Sequence, residues 1–167
     1  DPYMAQPEFW DLYEDGALPS VRDAEQDAHT KRLKTHYSIH DVDDATLRRM
    51  RHGYYASISY LDAKVGALMD QLDRTGMLDN TVIIFTSDHG DMMGERGLYY
   101  KKSFFEWAAR VPMVMAGPGV GVGWCDHPVS LVDLLPTFCE LAGIEPLAAC
   151  GQSLLAPQTR PVFGEYL

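Results

Sequence analysis

The sequence predicts an α/β fold in which helices cover a sheet on both faces. Residues 43–76 carry apolar side chains at intervals of three and four, which is the stripe of an amphipathic helix. Residues 81–87 are β-branched and apolar at successive positions, as in a strand buried on both faces. A second apolar run covers residues 111–116. We therefore expect a mixed or mostly parallel sheet sandwiched by helices, of which this chain contains only a part.

The long helix is the most regular element of the sequence. Asp43 or Asp44 can cap its start, and Gly76 can end it. Its tyrosines are assigned to the core or to the helix surface, not to a ligand site. The apolar stripe consists of Leu47, Met50, Tyr54, Ile58, Leu61, Val65, Leu68 and Leu72.

The shorter elements carry weaker signals. Residues 7–14 predict a short helix or turn, and the polar residues 21–42 predict a solvated connection or lid. Residues 131–142 predict a helix that Ser130 and Asp133 open as a capping box, with a bend at Pro136. Residues 160–166 predict a short strand.

Composition and charge exclude two classes of partner. The 167 residues are 46% hydrophobic, enough for a substantial core in one domain or part of one. The net charge of −10 argues against binding to a nucleic-acid backbone. No apolar run approaches the roughly 20 residues that span a bilayer. The chain begins without a methionine, so we expect an internal piece of a single domain over residues 1–167, and a signal peptide cannot be judged.

Candidate chemistry is concentrated where the strand over residues 81–87 ends. Asp88 and His89 follow that strand directly, and Gly90 lets the chain turn so that both side chains reach one ion. A carboxylate beside an imidazole suits Mn²⁺, or Ca²⁺ if other carboxylates complete the shell. The alternative to a metal site is that Asp88 only caps the turn after the strand and that His89 is a surface base. Lys101 ends the glycine-rich loop and can hold an anionic oxygen, in competition with Lys102.

Several segments together resemble a known family. Residues 80–91 (NTVIIFTSDHGD), 94–101 (GERGLYYK) and 110–112 (RVP) resemble the type I sulfatases of the alkaline phosphatase superfamily. Residues 60–66 (YLDAKVG), 118–119 (PG) and 131–137 (LVDLLPT) agree in order, so the resemblance covers nearly the whole chain. Within the family, a His directly after the metal-binding Asp, as in Asp88-His89, resembles the pattern of choline sulfatases. The related phosphonate monoester hydrolases are the main rival.

The resemblance implies an alkaline-phosphatase-like fold and a hydrolase for sulfuric esters. Its nucleophile would be a formylglycine made from the cysteine of a C-x-P-x-R motif, and this chain contains no such motif. Asp88 and His89 would be metal ligands, and Lys101 would contact the sulfate or its leaving oxygen as a catalytic and substrate-binding residue. We expect the piece to be inactive alone. A non-catalytic, degenerate sulfatase-like binding domain is the alternative from another class.

The implied substrate is choline sulfate, hydrolysed with water to choline and sulfate. Glu165 is a candidate for the quaternary ammonium, against the alternative of a surface carboxylate at a strand end. His127 is a candidate for substrate contact because it follows a loop that can overhang the site. We expect a homo-oligomer of the full-length protein, a cytoplasmic location and reduced, buried cysteines. The four histidines other than His89 and His127 are assigned to the protein surface: His29, His36, His40 and His52.

Overall fold

A computed structural model describes residues 3–13, 26–145, 151–156 and 161–164. It divides into two compact units, Asp1–Gly117 and Pro118–Leu167. The expectation of a single domain stays a prediction. In chain order, the helices and strands are α1 (Pro7–Trp10), α2 (Ala28–His36), α3 (Asp44–Arg74), β1 (Ile83–Thr86), β2 (Met92–Met93), β3 (Tyr99–Tyr100), α4 (Glu106–Ala109), β4 (Met113–Ala116) and α5 (Leu134–Leu141).

Helix α3 confirms the longest sequence prediction. The Asp43 side chain caps it by accepting a hydrogen bond from the backbone N–H of Thr46 at 2.6 Å. The helix ends before Gly76, whose φ of 69° is the left-handed conformation that glycine adopts without strain. Its N-terminal half is the better buried, with Ala56 fully inaccessible to solvent. This half forms the platform on which the first segment and the hairpin described below rest.

The first segment packs on α3 through aromatic rings. Helix α1 confirms the short helix expected there. The Trp10 ring stacks on the His52 ring with centroids 4.1 Å apart, and the His52 Nε2 atom is hydrogen-bonded to the Trp10 carbonyl at 2.8 Å. The surface assignment of His52 is therefore wrong, because stacking and a hydrogen bond compensate its burial to 5% exposure.

Helix α2 replaces part of the solvated connection that residues 21–42 predicted. Asp27 caps it by accepting from the backbone N–H of Thr30 at 2.7 Å. Thr30 is fully buried, and Leu33 packs against the buried cluster of the hairpin. The helix was missed because most of its residues are polar, so that it lacks the apolar stripe from which helices are recognised.

The strands form two small sheets, and each of the pairs that the structure describes is antiparallel. β1 pairs with β4, with Ile83 opposite Ala116 and Thr86 opposite Met113. β2 pairs with β3 across a tight turn, with Met92 opposite Tyr100. The predicted glycine-rich loop is thus a hairpin. The helices and sheets confirm the α/β class. Of the two sheet types expected, mixed or mostly parallel, the antiparallel strand pairs fit the mixed type.

The second unit is organised around a buried carboxylate. Ser130 and Asp133 form the predicted capping box at a 3₁₀ turn, Leu131–Asp133, which leads directly into α5. Pro136 lies in the first turn of α5, where the missing N–H costs little, and the helix predicted over 131–142 is divided before it into the 3₁₀ turn and α5. Residues 161–164 are exposed and form no strand, and the rest of the predicted strand over 160–166 lies outside the described residues.

Two further predictions concern membranes and thiols. Across the described ranges, no helix is both long and apolar enough to cross a bilayer. Cys139 is buried and free, as expected for a small apolar side chain. Cys125 is free but exposed, so the prediction of burial is wrong for it. Cys150 lies outside the described residues.

Candidate active site

The end of β1 delivers the first two candidate residues. The backbone N–H of Gly90 donates to the carbonyl of Ala108 at 2.8 Å, which ties the strand end to α4. A side chain at position 90 would collide with the backbone carbonyl of Trp107, so glycine is required there for close approach. The turn leaves Asp88 outside the packed part of the unit, with 79% of its side chain exposed.

Asp88 is held by hydrogen bonds that its charged form prefers. Its Oδ1 atom accepts from the backbone N–H of His89 at 2.9 Å and from the Ser87 hydroxyl at 3.4 Å. The backbone hydrogen bond from His89 is the main cause that holds the pKa of the Asp88 carboxyl below its ordinary value. The carboxylate is therefore ionised at neutral pH, as a metal ligand must be.

The contacts of His89 define its tautomer. Lys101 places Nζ 2.7 Å from His89 Nε2, and an ammonium group can only donate. Nε2 is therefore the unprotonated nitrogen, while Nδ1–H donates to the Gly90 carbonyl at 2.9 Å. The contact between His89 Nε2 and Asp88 Oδ2 at 3.4 Å is accordingly not an ion pair in this state. A neutral imidazole is the form that binds metals, and its Nε2 lone pair here accepts from Lys101.

The spacing of Asp88 and His89 fits one divalent cation. Donor atoms 3.4 Å apart can both lie at the roughly 2.0 to 2.6 Å from an ion that nitrogen and oxygen ligands occupy. Within the part of the chain that is described, no group of three or more His, Cys, Asp or Glu residues converges on a metal position. Asp88 and His89 are thus close enough to contact one ion, and the described residues bring no third ligand of these types to them.

The hairpin brings Lys101 to this pair. Gly94 (φ 102°) and Tyr100 (φ 67°) both adopt left-handed conformations, and Lys101 follows Tyr100 directly. A left-handed backbone is rare for a bulky residue such as tyrosine and is retained where the surroundings enforce it. Lys102 lies over the Tyr37 ring, with Nζ 4.3 Å from the centroid. Of the two competing lysines, Lys101 is therefore the one at His89.

Two contacts near the site were not predicted from the sequence, one between Tyr3 and Asp91 and one between Arg51 and Glu95. The hydroxyl of Tyr3 donates to Asp91 Oδ2 at 2.6 Å. Burial, followed by the hydrogen bond to Asp91, raises the pKa of Tyr3 above its ordinary value. Arg51 forms an ion pair with Glu95 at 3.3 Å. An arginine four residues after Leu47, beside the apolar stripe of α3, was the signal that could have revealed this pair.

The remaining candidates lie in the second unit or outside the described residues. His127 is exposed within the second unit, and its proposed contact with substrate stays a prediction. Glu165 lies outside the described residues. Arg96, in the same hairpin turn as Glu95, bonds to Asp27 at 2.9 Å.

Comparisons with known proteins identify the family of the chain. The family model described as sulfatase matches residues 12–144. Over 154 residues, or 86% of the chain, the sequence is 52% identical to choline-sulfatase from Rhizobium meliloti (strain 1021). It is 41% identical over 116 residues, or 69% of the chain, to arylsulfatase K from Danio rerio. The chain spans 30% of the length of the first relative and 21% of the second.

A solved structure supports the same fold. A phosphonate monoester hydrolase from Silicibacter pomeroyi matches 92% of this chain and 34% of its own length, with a TM-score of 0.79 and 26% identity. The backbone of the described elements thus follows that of a larger hydrolase.

Proposed function

Because the chain belongs to the sulfatase family, we propose that it forms part of an enzyme that hydrolyses sulfuric esters, with choline sulfate as substrate. The observation that carries the proposal is the convergence of Asp88, His89 and Lys101 at one strand end. Identity of 52% to a choline-sulfatase over most of the chain supports this choice of substrate. The net charge of −10 favours a zwitterionic ester over a simple anion, which the protein would repel.

Asp88 and His89 are proposed to hold one divalent cation, Ca²⁺ or Mn²⁺. An oxygen and a nitrogen ligand suit Mn²⁺, whereas additional carboxylates from outside the described residues would favour Ca²⁺. When bound, such an ion acts as a Lewis acid that polarises the oxygens of the ester. Asp88 is suited to this task because its low pKa keeps it charged. His89 is suited because its Nδ1–H bond to Gly90 directs Nε2 outward.

Lys101 is proposed to stabilise negative charge on the sulfate or on its leaving oxygen. Its ammonium is a compact charge with three N–H donors. His89 Nε2 has a single lone pair, so Lys101 must release it when His89 serves as a ligand. The freed N–H then faces an anionic oxygen beside the same ligand pair.

The nucleophile of this proposal is a formylglycine supplied by residues beyond this sequence. Residues 1–167 contain no C-x-P-x-R motif, so the described site holds the ligand pair and the lysine but not the attacking group. A homo-oligomeric, cytoplasmic enzyme, with His127 and Glu165 in contact with substrate, completes the proposal.

Phosphonate monoester hydrolysis is the second candidate. It is supported by the fold similarity to a phosphonate monoester hydrolase at a TM-score of 0.79. The two activities need the same ligand pair and cation because both esters present anionic oxygens. Turnover of a phosphonate monoester above that of choline sulfate by the intact protein would favour this alternative.

The decisive experiment uses Asp88→Asn in the intact protein that contains this chain. We expect bound divalent metal to disappear and choline sulfate turnover to fall more than about 100-fold, since loss even of a residue supporting a ligand costs 10- to 100-fold. Metal content and sulfate release are the measurements. Asp62→Asn, an exposed aspartate on α3, is the charge-matched control and should leave both unchanged. Full metal content and activity in Asp88→Asn would refute the assignment, as would an intact protein without C-x-P-x-R.

A further inference from the structure

One ion pair near the site is much better buried than the site itself. Arg51 on α3 and Glu95 in the hairpin turn retain only 13% and 16% exposure of their side chains. The Nη1 atom of Arg51 lies 3.3 Å from Glu95 Oε1. Charges with so little access to water are costly unless they are paired and hydrogen-bonded, so the arrangement around them is constrained.

The Arg51–Glu95 pair forms hydrogen bonds to the backbone of β2. Glu95 Oε2 accepts from the N–H of Met93 at 2.6 Å. Arg51 Nη1 donates to the carbonyl of the same residue at 3.3 Å. Both backbone polar groups of Met93 are thus bonded to the two side chains of the ion pair. This holds β2 at a fixed distance from α3.

Apolar packing holds the hairpin turn on the same face of α3. Leu47 lies one helical turn before Arg51, so both side chains project from one side of the helix. Gly94 packs so closely on Leu47 that a Cβ atom would collide with the Leu47 methyl groups. Met92 and Leu98 are buried in a cluster with Ala108. The hairpin is therefore seated by contacts on several sides, with the ion pair bonding its backbone to the helix.

The hairpin transmits this position to the lysine of the site. Met93 pairs with Tyr99, and Met92 pairs with Tyr100 immediately before Lys101. We infer that Arg51 and Glu95 are positioning residues of the active site: they fix, through Met93 and the β2–β3 pairing, the point from which Lys101 reaches the ligand pair. This inference rests on the proposed function, because it assigns Lys101 a role in turnover.

The expected effect is a loss of turnover that disappears when Lys101 is absent. Glu95→Gln keeps the shape of the side chain but removes its charge, and Arg51→Met keeps the apolar stem. A displacement of about 1 Å at a reacting group can cost up to roughly 100-fold in rate, so we expect kcat to fall about 10- to 100-fold with a smaller change in KM. In a Lys101→Ala background, the same substitutions should lower kcat less than about twofold, since residues that act as a unit are not additive.

The experiment is a double-mutant cycle in the intact protein, with kcat and KM for choline sulfate and the melting temperature measured for each variant. Arg74→Met on α3 is the control, because Arg74 is exposed and bonds to Gln71 at 2.8 Å, away from the hairpin. Glu95→Gln keeps the test valid if Arg51→Met does not fold, and assays run below the lowest melting temperature.

Non-additive losses of kcat would support the inference. Losses that multiply with that of Lys101→Ala, or a lowered melting temperature with unchanged kcat, would overturn it and leave the proposed function intact. A parent protein that hydrolyses no sulfate ester would overturn both.

Discussion

Two pairs of polar side chains in the first unit, Asp88 with His89 and Arg51 with Glu95, lie in opposite environments. Asp88 and His89 have 79% and 32% of their side chains exposed, and Asp88 Oδ2 lies 3.4 Å from His89 Nε2. Arg51 and Glu95 are only 13% and 16% exposed and share hydrogen bonds to the backbone of Met93. The Asp88 carboxylate of the first pair is open to solvent, whereas both side chains of the second pair bond to the backbone of the hairpin.

This difference separates chemistry from positioning. Groups that must bind an external ligand cannot also be consumed by internal bonds, so they contribute little to stability. Groups that fix geometry are effective only when they are buried and bonded, where their loss is costly. Substitutions in the exposed pair should therefore reduce activity without unfolding, and substitutions in the packed surroundings should reduce stability.

The largest effect is expected from His89→Ala. Loss of a proposed metal ligand should lower turnover by more than about 100-fold. This exceeds the roughly 10- to 100-fold loss of activity that is typical of residues that only support a ligand. The free energy of unfolding of the metal-free protein should change by about 0.5 kcal/mol or less, because the side chain is partly exposed. Sulfate release and chemical denaturation measure the two effects. A metal-free variant that unfolds much more readily than the parent would contradict the comparison.

The next effect is expected from Gly90→Ala, which places a methyl group against the Trp107 carbonyl. Overpacking of this kind costs about 1 to 3 kcal/mol, and the displaced strand end should also lower turnover. Gly66→Ala is the matched control, since a Cβ atom there would contact nothing within van der Waals range. Because Gly66 lies inside α3, alanine should instead stabilise by roughly 0.5 to 1 kcal/mol. Equal unfolding midpoints for both variants would contradict the proposed close approach at Gly90.

The smallest effect is expected from Tyr3→Phe, which removes the hydrogen bond to Asp91. The half-buried bond should contribute about 1 kcal/mol to the free energy of unfolding. Since the folded-state pKa of Tyr3 is raised, its contribution is complete below the ordinary tyrosine pKa and is lost as pH rises above about 10. The difference in stability between parent and variant should therefore shrink in alkaline solution. A difference in the free energy of unfolding between parent and variant that grows with pH would contradict this prediction.

Local periodicity explains which parts of the fold were predictable. Helix α3 was recognised because its stripe repeats over eight turns, and Asp43 and Gly76 mark its ends. Helix α2 was not, because Thr30 and Leu33 are too few to form a stripe. Strands β2 and β3 contain two residues each, which is too short for alternation to be seen.

The site was predictable to the extent that its residues are adjacent. Asp88 and His89 could be identified because they follow an apolar strand directly, although that strand is only half-buried in the structure. The bond between Tyr3 and Asp91 joins residues 88 positions apart, and that between Arg51 and Glu95 joins residues 44 apart. Contacts at such separations depend on how the helices and strands pack. That packing cannot be inferred from a single sequence.

The sequence by itself determined the α/β class, the position of α3, and the adjacent Asp88 and His89 at the end of β1, because each depends on neighbouring residues. Its motifs also carried the resemblance to sulfatases that the comparisons confirm. The tertiary structure alone decided that Lys101, and not Lys102, lies at His89. It did so because the paired hairpin, seated on α3, turns through a left-handed Tyr100 and sends successive lysines in different directions.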